Sequence, residues 1–285
     1  MIETFTSNTG IILSCAVLGL LVGSFLNVVI HRLPIMLENE FKLECQALTG
    51  DENQEPPPPA KYNLVVPRSA CPHCQHQITA LENIPVLSWI MLGGKCSQCK
   101  APISLRYPFI EALTSLISAG MAAHFGYGMP LLGALLLSWA LLSLIMIDAD
   151  TYLLPDYITL PLVWLGLLFN SQQTFTTLPM AVYGAMAGYL SLWSIYWLFK
   201  LITGKEGMGY GDFKLLAALG AWLGITALPA IVLLASFSGA IIGIAMIAGA
   251  KHGWNKPMPF GPYLGIAGLL ALVWGSKISS ALYGI

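Results

Sequence analysis

Along this chain, long uncharged apolar runs alternate with short segments that hold nearly all of the charge. Residues 10–30, 131–147, 178–199 and 258–275 contain no Asp, Glu, Lys or Arg. Each approaches the ~20 apolar residues that a helix needs to cross a bilayer. Residues 215–250 add 36 uncharged positions interrupted at Pro229, too long for one span and suited to two short antiparallel helices. Residues 107–126 and 153–170 are apolar apart from Glu111 and Asp156, each near one boundary. The pattern predicts an all-α polytopic membrane protein with about eight transmembrane helices.

Basic residues test that count, because short cytoplasmic loops are enriched in Lys and Arg. With the N-terminus outside, the inside segments are 31–106, 148–156, 200–214 and 251–257, and they hold 12 of the 13 Lys and Arg, leaving Lys277. The stretch 10–30 is expected to remain as a helix: Glu3 precedes it and the basic flank His31-Arg32 follows it, the reverse of a cleaved signal. Composition agrees, with 56% hydrophobic and 9% charged residues against the roughly 25% charge of soluble domains. A net charge of −1 supplies no basic patch for nucleic acid.

Three regions follow: a tail and first helix (1–30), a cytoplasmic domain (31–106) and a seven-helix membrane domain (107–285). The cytoplasmic segment contains "CPHC" (Cys71, Cys74) and "CSQC" (Cys96, Cys99). Two Cys-x-x-Cys hooks supply the four corners of a tetrahedron, the geometry zinc prefers, and with all four places filled by sulfur the metal is structural. A disulfide pairing is disfavoured where thiols are kept reduced. His73 and His76 read as surface residues, Cys15 as packing, and Cys45 lies outside both hooks. Residues 38–55 carry six acids against Lys42 and run into four prolines, which reads as a solvated, disordered excursion; steering of a basic peptide is the sharper alternative.

Outside residues 31–106 and Glu3, the acids are Glu111, Asp148, Asp150, Asp156, Glu206 and Asp212, all assigned to one membrane face. Ionisable groups at a membrane are costly and mark function. "IDADTYLLPD" and "GMGYGDFK" could bring two carboxylates together, one ionised and one protonated, as a base and an acid for amide hydrolysis. Spacing leaves Asp148 and Asp150 as equal candidates. Asp156, after Pro155, reads as an N-cap, Glu111 as a partner of Arg106 or another basic residue, Lys214 as a boundary anchor, and Asp212 could be no more than a helix-start acid. The glycines at 204, 207, 209 and 211 follow a membrane helix instead of a strand, so a phosphate loop lacks its context; room for an extended peptide is the better reading.

These motifs resemble the type IV prepilin peptidases, membrane aspartic proteases with a Gly-x-Gly-Asp motif. The resemblance covers nearly the whole chain: "GSFLNVVIHRLP", the two cysteine hooks, "RYPFIEALT", the Asp-x6-Pro-Asp pattern of "DADTYLLPD", and "GMGYGDFKLLAALGAWLG". It implies Asp148 and Asp212 as the catalytic pair. It implies cleavage of a short basic leader from prepilins and pseudopilins at the cytoplasmic face of the bacterial inner membrane, with membrane lipid around the helices. It also implies methylation of the new N-terminal residue with S-adenosylmethionine, with no residues assigned to the methyl donor. Two other classes fit parts of the pattern: an ion-coupled transporter, against which the acids lie at one face and not near the midplane, and a non-catalytic zinc-bearing assembly factor.

Overall fold

A computed structural model describes residues 8–49, 62–248 and 258–283. Among them the long elements are all helical: α1 (Asn8–Thr49), α2 (Leu87–Met91), α3 (Arg106–Phe125), α4 (Met129–Thr151), α5 (Asp156–Ser171), α6 (Leu178–Thr203), α7 (Tyr210–Leu223), α8 (Leu228–Ala248) and α9 (Gly261–Tyr283). A single 3-10 turn, Ile225–Ala227, stands between α7 and α8, where the run 215–250 was expected to break at Pro229. Among the described residues, four helices are long and apolar enough to cross a membrane, within Asn8–Leu48, Met129–Thr151, Leu178–Thr203 and Ile225–Met246, and Gly261–Gly275 is a shorter apolar stretch. Large side chains on these spans point outward: Leu13, Leu132, Leu190, Phe237 and Ile244 are all exposed, as lipid contact requires and water would penalise.

The chain divides into two compact units, Met1–Gly126 and Tyr127–Ile285. In the first, α1 packs along α3 through small residues. A Cβ on Gly19 would meet Ser118 Oγ at 2.6 Å, and one on Gly23 would meet the Glu111 Cα at 2.7 Å, so glycines four residues apart let the two backbones approach closely. The Ser115 hydroxyl donates to the Ala16 carbonyl at 2.8 Å across the same seam.

α1 is longer than its apolar run. Its 42 residues span ~63 Å at the helical rise, about twice the hydrocarbon thickness, so the helix does not end at residue 30. Pro34 sits inside it, and the helix-favouring residues after it carry the chain on, with Glu38 and Lys42 paired at 3.0 Å one turn apart. The first part of the acidic stretch is therefore helix and not a disordered excursion. Residues 50–55 and the four prolines lie outside the described residues.

In the second unit, α7 is the buried centre, with Phe213, Leu215, Leu216, Leu219 and Trp222 fully enclosed. Gly184 of α6 and Gly220 of α7 pack backbone to backbone, and Gly188 stands where a Cβ would meet the Leu216 carbonyl oxygen at 2.6 Å. Polar groups clamp α5 to the end of α7. Asn170 donates to the carbonyls of Ala221 (2.8 Å) and Trp222 (2.9 Å) and accepts from the N–H groups of Phe175 (3.0 Å) and Thr176 (3.1 Å). The Trp222 indole donates to the Leu162 carbonyl at 2.8 Å. Buried polar atoms are thus satisfied where water is absent, and the end of α7 is fixed against α5.

Candidate active site and metal centre

Asp148 and Asp150 sit in the last turn of α4, two residues apart and so on different faces of the helix. Asp148 is 4% exposed, whereas Asp150 faces outward, which separates two residues that spacing alone left equal. The chain leaves α4 through Tyr152, whose φ of 59° closes the helix left-handed, and Pro155 then starts α5 in extended geometry.

Asp148 Oδ2 accepts the buried N–H of Gly261, the first residue of α9, at 2.9 Å. A Cβ on Gly261 would stand 2.6 Å from that oxygen, so glycine is what allows the approach. The "GP" at 261, inside the apolar run 258–275, was the available sequence signal, since helix starts favour Pro in the first turn, but nothing in the sequence tied it to Asp148.

Asp212 is the third residue of α7, after Gly209 at the N-cap, and is 7% exposed. Its carboxylate takes the Gly209 N–H and interacts electrostatically with Asp148. Leu154 lies beside both acids: its side chain meets the Cβ positions of Gly211 at 2.7 Å and of Gly261 at 3.1 Å. Two buried carboxylates from different helices, each steadied by a backbone N–H at a helix start, are thereby brought to one place.

The remaining acids have other roles. Asp156 is the first residue of α5, one position inside the Pro155 N-cap, and receives the Lys214 ammonium on both oxygens at 2.7 Å. The N-cap position expected for Asp156 is held by Pro155, and Lys214, which projects from α7 one turn beyond the helix start, forms an ion pair with Asp156 instead. Glu206 pairs with Lys200 at 2.9 Å, closing the glycine-rich turn after Gly204, whose φ of 68° ends α6. Glu111 accepts the Val86 N–H at 2.8 Å and the Ser24 hydroxyl, so its described partners are neutral.

The four cysteines converge in the first unit. Cys71 and Cys96 each open a turn in which the fourth residue on, Gln75 (φ 60°) or Lys100 (φ 59°), is left-handed and bonds back to the cysteine carbonyl, at 2.9 and 3.1 Å. The four Sγ atoms lie within 4.8 Å of one another, a group that could hold a metal ion. Thiolates tetrahedral about zinc at ~2.3 Å would be ~3.8 Å apart, and the sulfurs of Cys71 and Cys99 are 3.7 Å apart and those of Cys74 and Cys96 3.9 Å. All four are free thiols. Backbone N–H groups of Cys99 and Gln98 lower the Cys96 thiol to about 6, so it is a ready ligand at neutral pH. His76 is not a bare surface residue: its Nε2 lies 3.3 Å from the Glu82 carboxylate.

Fold and site together define a helical membrane protein with a buried aspartate pair and a four-cysteine centre. Known proteins share this sequence over most of its length. Residues 17–125 match the bacterial peptidase A24 N-terminal domain, and residues 135–244 match the type IV leader peptidase family. Among curated proteins, the prepilin leader peptidase/N-methyltransferase of Aeromonas hydrophila is 60% identical over 92% of this chain and 90% of its own length. Those of Stutzerimonas stutzeri (54%; 98% and 96% covered) and Pseudomonas aeruginosa (55%; 94% and 92% covered) are similar. The chain belongs to the type IV leader peptidase family. No solved structure matches it.

Proposed function

We propose that this chain removes the leader peptide from type IV prepilins and pseudopilins and then N-methylates the exposed residue, with Asp148 and Asp212 as the catalytic pair. The observation that carries the reading is the convergence of these two buried carboxylates beside Leu154. At the reaction, one carboxylate is ionised and takes a proton from the attacking water. The other is protonated and donates to the oxygen of the scissile amide, and the tetrahedral intermediate collapses with the proton delivered to the leaving amine. The Gly261 and Gly209 N–H groups hold the two side chains in place for this exchange.

The relatives are named for both activities, and the second requires a methyl donor; S-adenosylmethionine when bound supplies an electrophilic methyl on a sulfonium. Zinc fits Cys71, Cys74, Cys96 and Cys99 as a structural ion, since the sulfur spacing matches four thiolates and leaves no place for water. The enzyme belongs in the bacterial inner membrane with eight spans and the aspartates at the cytoplasmic face, as the placement of Lys and Arg supports. Residues 1–30 form the tail and first span, 31–106 the cytoplasmic domain and 107–285 the protease domain. α1 runs unbroken from the first of these into the second.

The test uses purified protein in detergent with a synthetic prepilin. Asp148→Asn and Asp212→Asn should each slow leader removal by at least the 10²–10⁴-fold, roughly, that a positioned acid or base contributes. An undiminished rate in either variant overturns the pair. Metal analysis should find one zinc per chain, lost in Cys96→Ser; wild-type protein without zinc would remove that assignment.

A further inference from the structure

The first unit holds an open-sided cavity of about 620 Å³ that neither Asp148 nor Asp212 lines and that proteolysis does not explain. We propose that this cavity is the methyl-donor site and takes S-adenosylmethionine. The inference rests on the reading of the chain as an N-methyltransferase and assigns that activity its binding residues.

The volume lies within the ~300–1,000 Å³ of small-molecule sites, and the lining matches the ligand group by group. Such a donor is a zwitterion with an added sulfonium, so it needs a cation for its carboxylate, anions for its ammonium and sulfonium, and flat apolar surface for its purine. The cavity supplies Arg32 and Arg68, Glu82 and Glu111, and the indole of Trp89. An acyl chain or an apolar peptide segment would offer no partner to the arginines or to the remaining acceptor sites of Glu111, and burying such groups without partners is costly.

Three of these side chains are prearranged. Arg32 and Glu111 are each only 9% exposed yet reach the cavity. Arg32 donates to the Asn63 carbonyl at 3.0 Å and lies over the Tyr62 ring at 5.8 Å, which fixes its plane and leaves further N–H groups for a carboxylate. Glu111 uses two of its roughly four acceptor sites on the Val86 N–H and the Ser24 hydroxyl, leaving the others to face a cation. Val86 makes its bond from a φ of 61°, a conformation that a β-branched residue adopts only under constraint. The Trp89 indole donates to the Ile103 carbonyl at 3.2 Å, holding its face in position for stacking. Cys71 and Cys96 also line the cavity, so a metal on the four thiolates would brace one wall, which gives the cysteine centre a task beyond folding.

The experiment measures binding on the full-length protein in detergent. S-adenosylhomocysteine is titrated by calorimetry, and tritiated S-adenosylmethionine is cross-linked with ultraviolet light and mapped by peptide. Wild type should bind, with label on peptides drawn from residues 24–32 or 62–111, and Glu111→Gln and Trp89→Ala should each raise Kd tenfold or more with zinc content unchanged. If wild type binds but the label falls within residues 127–285, or if the variants that keep their zinc bind as wild type does, the cavity is not the site. If wild type binds neither compound, the methyltransferase reading itself fails. The cross-linking map decides the matter even if a variant does not fold.

Discussion

The sharpest test of the aspartate site is a methyl group added to Gly261. Alanine there is compatible with the backbone, which has no left-handed φ at this position, and at a helix position it gains up to ~1 kcal/mol in intrinsic propensity. Stability therefore should not fall for lack of glycine's freedom. The new Cβ, however, would stand 2.6 Å from Asp148 Oδ2 and 3.1 Å from Leu154 Cδ1, whereas ordinary contact begins at 3.4 Å. The carboxylate must retreat by about 0.8 Å to reach that distance, giving up its 2.9 Å bond to the Gly261 N–H. Misplacing a reacting group by ~1 Å costs on the order of 10²-fold. Gly261→Ala should thus lower kcat for leader removal by roughly 10- to 100-fold with KM little changed, because binding of the substrate's remote parts is untouched. Gly120→Ala is the control, since a Cβ at that mid-helix glycine meets nothing within 4 Å. If Gly261→Ala cleaves a synthetic prepilin within twofold of wild type, Asp148 does not need the geometry described here.

The ion pair and the cysteine unit give further tests. Lys214→Met leaves Asp156 without its cation; the pair is partly exposed, with side chains 28% and 52% accessible, so a loss of ~0.5–1 kcal/mol in stability is expected. The exchange Asp156→Lys with Lys214→Asp should recover most of that loss in thermal melting, and no recovery would show that the partners do not act as a pair. In the first unit, hydrogen bonds from the Ser97 side chain and then from the Thr79 N–H and hydroxyl hold the Glu82 carboxyl down at about 2. A depressed carboxylate contributes stability that is present above its unfolded value of ~4.3 and is lost as pH falls towards 2. The gap in melting midpoint between wild type and Glu82→Gln should therefore narrow from pH 6 to pH 3. A constant gap would refute the shift, and metal release in acid, common to both proteins, does not affect the comparison.

How far the sequence reveals this structure depends on the range of the interaction concerned. Helices were legible because an apolar run of bilayer length has few other uses, and each apolar segment has its helix. The four cysteines were legible because each hook is local and its turn closes within five residues. The boundary of α1 was not, since the apolar run ends where the helix does not; residues after Pro34 favour helix on their own account, and hydropathy carries no information about that. Asp148 and Asp150 could not be separated by spacing, only by which of them faces α9. Lys214 and Asp156 lie 58 positions apart, and Asp148 and Gly261 lie 113 apart, so neither contact leaves a local mark. The cavity of the first unit was missed for the same reason. Its lining is gathered from positions 24 to 111, and no short motif contains an arginine, a glutamate and a tryptophan together.

The spacing of Asp-x6-Pro-Asp also acquires a physical meaning. From Asp148, less than one further turn completes α4; Tyr152 reverses the chain in a left-handed cap, its N–H bonding the Asp148 carbonyl at 2.9 Å. Leu154 then reaches the glycines beside both acids, Pro155 sets the extended entry to α5, and Asp156 takes Lys214. Since Lys214 is two residues from Asp212 on the same rigid first turns of α7, the connection that begins at one buried aspartate ends by gripping the helix that carries the other. One residue more or fewer between Asp148 and Pro155 would keep every residue type of the motif while rotating Asp156 away from Lys214 and Leu154 away from the glycines. The motif is thus a measured length of chain between two carboxylates, and its second acid serves to hold that length in register.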